Sequence, residues 1–145
     1  MDLWLWKWIF LSSIKNGLGP TPVYPLEMQS LPHIKDQLST KDLFDAFKRQ
    51  LVKDFEQSNF PADFVEALEP NYNSILEKIV FELQYNEKKG GPHLMPLLNR
   101  IDISEAQLKK YLNEFKNENH LRVIAALIIK RVLQKVVIKR HYKDK

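Results

Sequence analysis

The sequence contains no cysteine and only four glycines. Without cysteine the chain cannot form disulfides, thiolate metal sites or a cysteine nucleophile, so its fold must depend on packing. Its few glycines fit neither the Walker nor the dinucleotide phosphate-binding pattern, and no Gly-x-Ser-x-Gly elbow is present. These absences argue against the common nucleotide-binding and hydrolase classes. The lack of cysteine also favours a reducing compartment, so we expect a cytoplasmic protein.

Long apolar runs are also missing. The run at residues 3–11 is about half of the roughly 20 residues that a membrane-spanning helix needs. Asp2 precedes this run and Lys7 interrupts it, which does not fit a secretory signal. We therefore predict no transmembrane segment and no signal peptide. The run contains the three tryptophans of the chain, Trp4, Trp6 and Trp8.

These tryptophans belong to a segment that differs from the rest of the chain. Residues 17–25 contain five glycine or proline residues, which prevent a regular helix there. We expect the tryptophans to pack against the domain or a partner, with contact to a membrane surface as the alternative. A further hypothesis is that Met28 is the native start. The predicted organisation is an N-terminal extension over 1–37, a helical domain over 38–141 and a basic tail over 142–145.

The rest of the chain has the composition of one globular domain, with 44% hydrophobic and 28% charged residues in a chain of 145. From Leu38 onward the apolar residues recur at three- and four-residue steps, typical of amphipathic helices. Ser39 and Ser104 are predicted N-caps, Ser104 with Gln107 as its capping-box partner. The predicted helices are one after Ser39 to about Phe55, a short one with Pro61 in its first turn, one that begins after Pro70 and ends at Lys88 and Lys89 with Gly90 and Gly91 as its stop, one over about 93–101, one after Ser104 to about Phe115, and one over about 120–140.

The last of these helices should be the centre of the fold. Residues 123–129 are apolar on every side, which is typical of a helix surrounded by protein. Their β-branched content would also suit a strand, but the uninterrupted length favours a helix. The sequence thus predicts an all-α fold, an irregular bundle of five to six helices with a central C-terminal helix.

Candidate chemistry is sparse. His33, His93, His120 and His141 lack the spacing of a helical metal site, and Ser39 and Ser104 are assigned to helix capping. The carboxylates alternate with lysines on what we expect to be exposed helix faces. This group comprises Asp45, Asp54, Glu77 and Glu82. We therefore predict no catalytic, cofactor-binding or metal-binding residues, and a protein that is not an enzyme.

Positive charge is concentrated at the C-terminal end. Residues 121–145 carry eight Lys or Arg side chains and one acidic side chain, Asp144. Such an end can meet nucleic acid, anionic lipid or an acidic partner, or can simply complement the dipole of its own helix. The basic residues that we single out are Lys130, Arg131, Lys135, Lys139 and Arg140.

One stretch, at about 93–116, resembles a helix-turn-helix unit. A short helix is followed by a turn with a buried Ile before the capping Ser104, and then by a second amphipathic helix. In a DNA-binding unit of this kind the second helix would present Lys109, Lys110 and Asn113 to a major groove. The turn lacks the glycine often found there and has Asp102 instead.

From these patterns we expect a non-enzymatic helical module for interaction or assembly. Its partner would be another protein, either a second copy or a different chain, bound through the basic end or the tryptophans. The first alternative is a nucleic-acid-binding protein that uses the unit at 93–116 with the basic C-terminal helix. The second alternative is association with a membrane surface through the tryptophans.

Overall fold

The computed structural model describes residues 37–91 and 93–143 of the chain. These residues contain helices and no strand, which confirms the predicted all-α bundle. None of the described helices combines the length and the apolar character needed to cross a membrane. From Lys41 onward the helices are α1 (Lys41–Gln57), a 3-10 helix (Asp63–Ala67), α2 (Tyr72–Lys88), α3 (Leu94–Arg100), α4 (Glu105–Glu114) and α5 (His120–Lys143).

The C-terminal helix α5 is central, as predicted. It packs against α1, α2 and α4, while α3 and the 3-10 helix pack against α1. Ala125, Ile128, Ile129 and Val132 of α5 are 0% exposed. Each large apolar side chain buried in this way contributes about 1.5–3 kcal/mol to folding. The interior of the bundle is therefore organised around α5.

Helix α1 buries one face, and that face includes a charged residue that we predicted to be exposed. Phe47, Leu51 and Phe55 are completely buried, and Asp54 on the same side is only 2% exposed. The prediction for Asp54 was wrong because Asp54 lies seven residues after Phe47 and three after Leu51, which places it on the apolar stripe. Its carboxylate must therefore find partners inside the protein.

Helix α2 begins and ends where the sequence predicts. The side chain of Asn71 accepts a hydrogen bond from the backbone N–H of Ser74 at 2.9 Å, and this contact caps the helix. After Lys88 the chain leaves the helix through Gly90, whose φ of 71° lies in the left-handed region that favours glycine. The glycine stop is thus confirmed. The α2 side chains buried in the core are Tyr72, Ile75, Leu76, Ile79, Val80 and Leu83.

The predicted capping box between α3 and α4 is confirmed. The Ser104 hydroxyl accepts from the Gln107 backbone N–H at 3.1 Å, and the Gln107 side-chain oxygen accepts from the Ser104 N–H at 3.4 Å. The turn before it buries Ile101 and Ile103 on either side of Asp102. Asp102 has a φ of 70°, so an aspartate occupies the left-handed position where glycine is common.

Three predicted helix starts shift by one or two residues. Residues 37–39 are already helical, and Thr40, which has the extended backbone of an N-cap, replaces Ser39 as the residue before α1. His93 is the N-cap of α3 and not its first residue. The helix after Pro61 is a 3-10 helix with Ala62 as its N-cap, so Pro61 lies outside it.

We expect Ser104→Ala to lower the free energy of unfolding by about 1 kcal/mol, because the N–H of Gln107 loses its acceptor. Urea denaturation followed by circular dichroism measures this change. Ser104→Thr is the matched control, since threonine keeps the hydroxyl and should stay within about 0.5 kcal/mol of wild type. Equal stability of the alanine variant and wild type would contradict a structural role for this cap.

Candidate functional site: a basic groove between α1 and α5

The basic residues of α5 emerge from the core along one stripe of the helix. Arg131, Lys135 and Lys139 follow one another at four-residue steps and so lie on one face. Each of them reaches a partner on another part of the bundle. Lys130, which precedes this stripe, is only 5% exposed. Much of the predicted basic surface of α5 is therefore directed into the protein.

The buried carboxylate of Asp54 is the centre of this polar cluster. The Lys135 ammonium donates to both oxygens of Asp54 at 3.1 and 3.2 Å, and the Gln50 amide donates to one of them at 3.1 Å. The Arg100 guanidinium lies 4.0 Å from the same carboxylate. Because a buried charge is tolerated only when it is paired and hydrogen-bonded, these contacts account for an acid at a core position.

The cluster extends from Asp54 towards the surface through one further hydrogen bond. Lys139 donates to the side-chain oxygen of Gln50 at 2.7 Å, while the amide nitrogen of Gln50 is held by Asp54. Gln50 thus bridges the buried pair and an exposed cation. Lys135 also donates to the carbonyl of Arg100 at 3.2 Å and so satisfies an oxygen in the last turn of α3. The position of Lys139 is therefore fixed by contacts that begin in the core.

Arg131 fastens α5 to the turn between α3 and α4. Its guanidinium donates to the backbone carbonyl of Asp102 at 2.6 Å. Burial lowers the pKa of Arg131 to about 10, partly offset by Asp102 and Tyr111. This arginine therefore supports the turn and is not presented to solvent as a free charge.

A groove lies between α1 and α5 next to this cluster and shares Gln50 and Lys139 with it. It has a volume of about 230 Å³, and none of the described residues that line it is acidic. The least exposed of its lining side chains, which we call its floor, are the apolar Val136 and Ala46 beside Gln50. Four cations surround the floor: Arg49, Lys53, Lys139 and Arg140.

The groove concentrates like charges. Partial burial lowers the pKa of Lys139, and the neighbouring charges of Lys53 and Lys135 lower it further, while Asp54 acts in the opposite direction. Charges that repel one another are stabilised when an anion arrives between them. The groove is therefore an electrostatic acceptor for negatively charged groups. We call it the basic groove.

A second depression lies on the other side of Arg49 and has a different character. It measures about 340 Å³ and is lined by side chains of both charges with Val52 and Val65 between them. Its Lys48 donates to the backbone carbonyl of Glu66 at 3.3 Å and lies over the Phe44 ring, 5.2 Å from its centre. The mixed charges make this depression a weaker anion acceptor than the basic groove.

The remaining predicted contact residues are on α4 or outside the described residues. Lys109, Lys110 and Asn113 are exposed on α4, and Lys109 forms an ion pair with Glu105 at 3.6 Å. Helices α3 and α4 lie in the stretch at about 93–116, and its resemblance to a helix-turn-helix unit stays a prediction. Trp4, Trp6 and Trp8 lie outside the residues that the structure describes.

Arg49 and Lys53 line the groove, although the sequence pattern did not single them out as contact residues. They are exposed on α1, but nothing in the sequence indicates that this face of α1 meets the end of α5. The signal that could have identified the site is Asp54 at a core position, since a buried acid requires a basic partner from another helix.

Acidic and metal-ligating side chains form no comparable site in the described part of the chain. No group of three histidine or carboxylate side chains there is arranged to hold a metal ion. Glu82 of α2, which we predicted to be exposed, is partly buried. Its pKa is raised by burial and by the neighbouring charge of Asp63, and Lys78 opposes this shift.

We expect Asp54→Asn to destabilise the fold by about 3 kcal/mol, because Lys135 and Arg100 lose the carboxylate that neutralises them. Lys135→Met should also destabilise, and the double variant should be more stable than the sum of the two single effects implies. Chemical denaturation of the four proteins gives the coupling energy. Lys41→Met is the matched control, since the Lys41–Asp45 pair is exposed and contributes less than about 1 kcal/mol. Additive single effects would exclude a coupled pair.

Comparisons of the chain with protein-family models, with curated protein sequences and with solved structures each found no match. Functional inference therefore depends on the chemistry of the described residues. The feature that carries it is the cationic groove with an apolar floor between α1 and α5.

Proposed function

We propose that this protein is a non-catalytic interaction module that binds an acidic segment of another protein in the basic groove. The observation that carries the proposal is the convergence of four cations from two helices around an apolar floor, with no carboxylate among the described lining residues. Complementary charge accelerates the encounter of two proteins and discriminates against wrong partners. The apolar floor adds a place for an apolar side chain between the charges.

The size of the groove supports a peptide over a small molecule. Pockets for drug-sized ligands measure about 300–1,000 Å³, and the basic groove is smaller, with about 230 Å³. A space of this size suits one or two side chains of a longer segment. The rest of such a segment would lie along the surface between α1 and α5.

The chemistry of the groove favours protein over nucleic acid. Proteins that bind single strands combine a basic groove with aromatic side chains on which bases stack, and none of the described residues lining this groove is aromatic. Duplex DNA would instead use Lys109 and Lys110, but Glu105 partly neutralises that end of α4. The internal contacts of Arg131 and Lys135 further reduce the positive charge available to phosphates.

The ordered position of one cation, Lys139, also favours binding. Lys139 is held by Gln50, and Gln50 is held by Asp54, so one cation of the groove is ordered before a partner arrives. A side chain that is already ordered loses less conformational entropy on binding than a mobile one. Because its pKa is lowered, Lys139 loses its positive charge at a lower pH than an ordinary lysine does. As the pH rises, binding of an acidic segment should therefore begin to weaken at that lower pH.

The test uses the full chain and a fluorescent peptide of alternating Glu and Leu residues. A peptide with Gln in place of Glu is the uncharged comparison. Arg49→Glu combined with Arg140→Glu reverses two cations of the groove without touching the cluster around Asp54. We expect this pair of changes to weaken binding of the acidic peptide by about tenfold or more, measured by fluorescence anisotropy.

Lys109→Glu combined with Lys110→Glu is the matched control, since it makes the same change of net charge on α4. It should change peptide affinity by less than about twofold at physiological salt. An equal loss in both double variants would contradict a specific site and indicate non-specific attraction. Tighter binding of duplex DNA than of the peptide, lost in the Lys109 and Lys110 variant, would replace the proposal with the nucleic-acid hypothesis.

A further inference from the structure

The outer face of α2 carries an exposed aromatic pair. Phe81 is 60% exposed and Tyr85 is 48% exposed, and they are the exposed large apolar side chains among the described residues. Their rings are nearly parallel, with an angle of 5° between the ring planes and 6.2 Å between the ring centres. The opposite side of α2 packs against α5. The pair therefore forms a flat apolar surface that points away from the core.

Such a pair needs more explanation than a single exposed aromatic residue. Single apolar side chains on a surface are ordinary, whereas adjacent ones form a patch that partners can bury. Aromatic residues bury about 150–250 Å² each and dominate the energetics of many interfaces. Lys89 lies over the Tyr85 ring at 4.9 Å from its centre, so a cation borders the patch at one end.

The residues around this pair follow a self-complementary order. Glu77, Phe81, Tyr85 and Lys89 are spaced by four residues and so form a stripe along one face of α2 and its first residue beyond. At 1.5 Å per residue the stripe is about 18 Å long. An acid occupies one end, a base the other, and the aromatic rings the middle. The same stripe turned end to end presents a base to the acid and an acid to the base.

The acidic end keeps capacity for a second cation. Glu77 accepts a hydrogen bond from Arg122, yet its side chain remains 62% exposed. A carboxylate has about four acceptor positions, so an incoming ammonium can bind beside the guanidinium. The charge of Glu77 is thus available to a partner that approaches along α2.

We propose that the stripe formed by Glu77, Phe81, Tyr85 and Lys89 is an interface through which two copies of this chain associate with their α2 helices antiparallel. In this arrangement Glu77 of each copy faces Lys89 of the other, and each Phe81 faces a Tyr85. Twofold interfaces of this kind use the same patch on both subunits. Since α2 does not line the basic groove, each copy would keep its groove open.

The size of the patch sets the expected strength. Each copy contributes two aromatic side chains, and one ion pair forms at each end of the interface. Together these groups bury less than the roughly 1,200 Å² of a stable interface. The association should therefore be transient, with a Kd of about 10⁻⁴ M, which corresponds to a free energy of roughly −5.5 kcal/mol. At low micromolar concentration the protein should be monomeric.

Sedimentation equilibrium of the full chain at up to about 1 mM tests the proposal at concentrations above that Kd. Phe81→Ser combined with Tyr85→Ser should remove association, and because both side chains are exposed the fold should persist, as circular dichroism will show. Lys110→Ser combined with Glu114→Ser on α4 is the control and should associate like wild type. A wild-type protein that is monomeric at the highest concentration, or a serine variant that still dimerises, overturns the proposal.

Charge exchange then tests the antiparallel register. Glu77→Lys alone and Lys89→Glu alone should each weaken association by about tenfold, because like charges face each other at both ends. An equimolar mixture of the two single variants should associate again, since each chain then offers what the other lacks. If the mixture associates no better than either variant by itself, the proposed register is wrong.

Discussion

The fold depends on covering one apolar stretch of the C-terminal helix α5 from every side. Residues 123–129 of α5 are apolar on every side, so this stretch is stable only when other helices cover it from several directions. Helices α1, α2 and α4 each provide one apolar stripe and meet that requirement together. None of these helices would be expected to hold its structure without that packing, because most of the stability of a helix in a protein comes from burying its apolar face against other elements. The bundle is therefore stable only when the other helices pack around α5.

The polar cluster and the groove lie where the central helix α5 leaves the core. Where α5 approaches the surface its lysines follow directly after buried apolar residues, so their charged ends must be paired or hydrated. Asp54 supplies a buried counter-charge for Lys135, and Gln50 carries the contact outward to Lys139. Beyond these residues, cations from α1 and α5 lie together around the groove. The same helix thus provides both the centre of the core and one wall of the proposed binding site.

The two proposed surfaces differ in chemistry and in position. The basic groove belongs to α1 and α5 and takes negative charge, whereas the aromatic stripe belongs to α2 and is balanced in charge. A partner that suits one would be a poor match for the other. Because they use different helices, weak pairing of two chains would place two grooves in one assembly and would strengthen binding to a partner with repeated acidic segments.

The sequence by itself determined the helices, the glycine stop after α2, the capping box at Ser104 and the central place of α5, because these depend on local periodicity and on neighbours within four residues. It could not determine the site. Asp54 and Lys135 are 81 positions apart, and only packing brings them together. Likewise, Arg49 belongs to the groove because the outer face of α1 meets the end of α5. Tertiary structure alone decides which of many surface charges are paired inside the protein and which remain open to a partner.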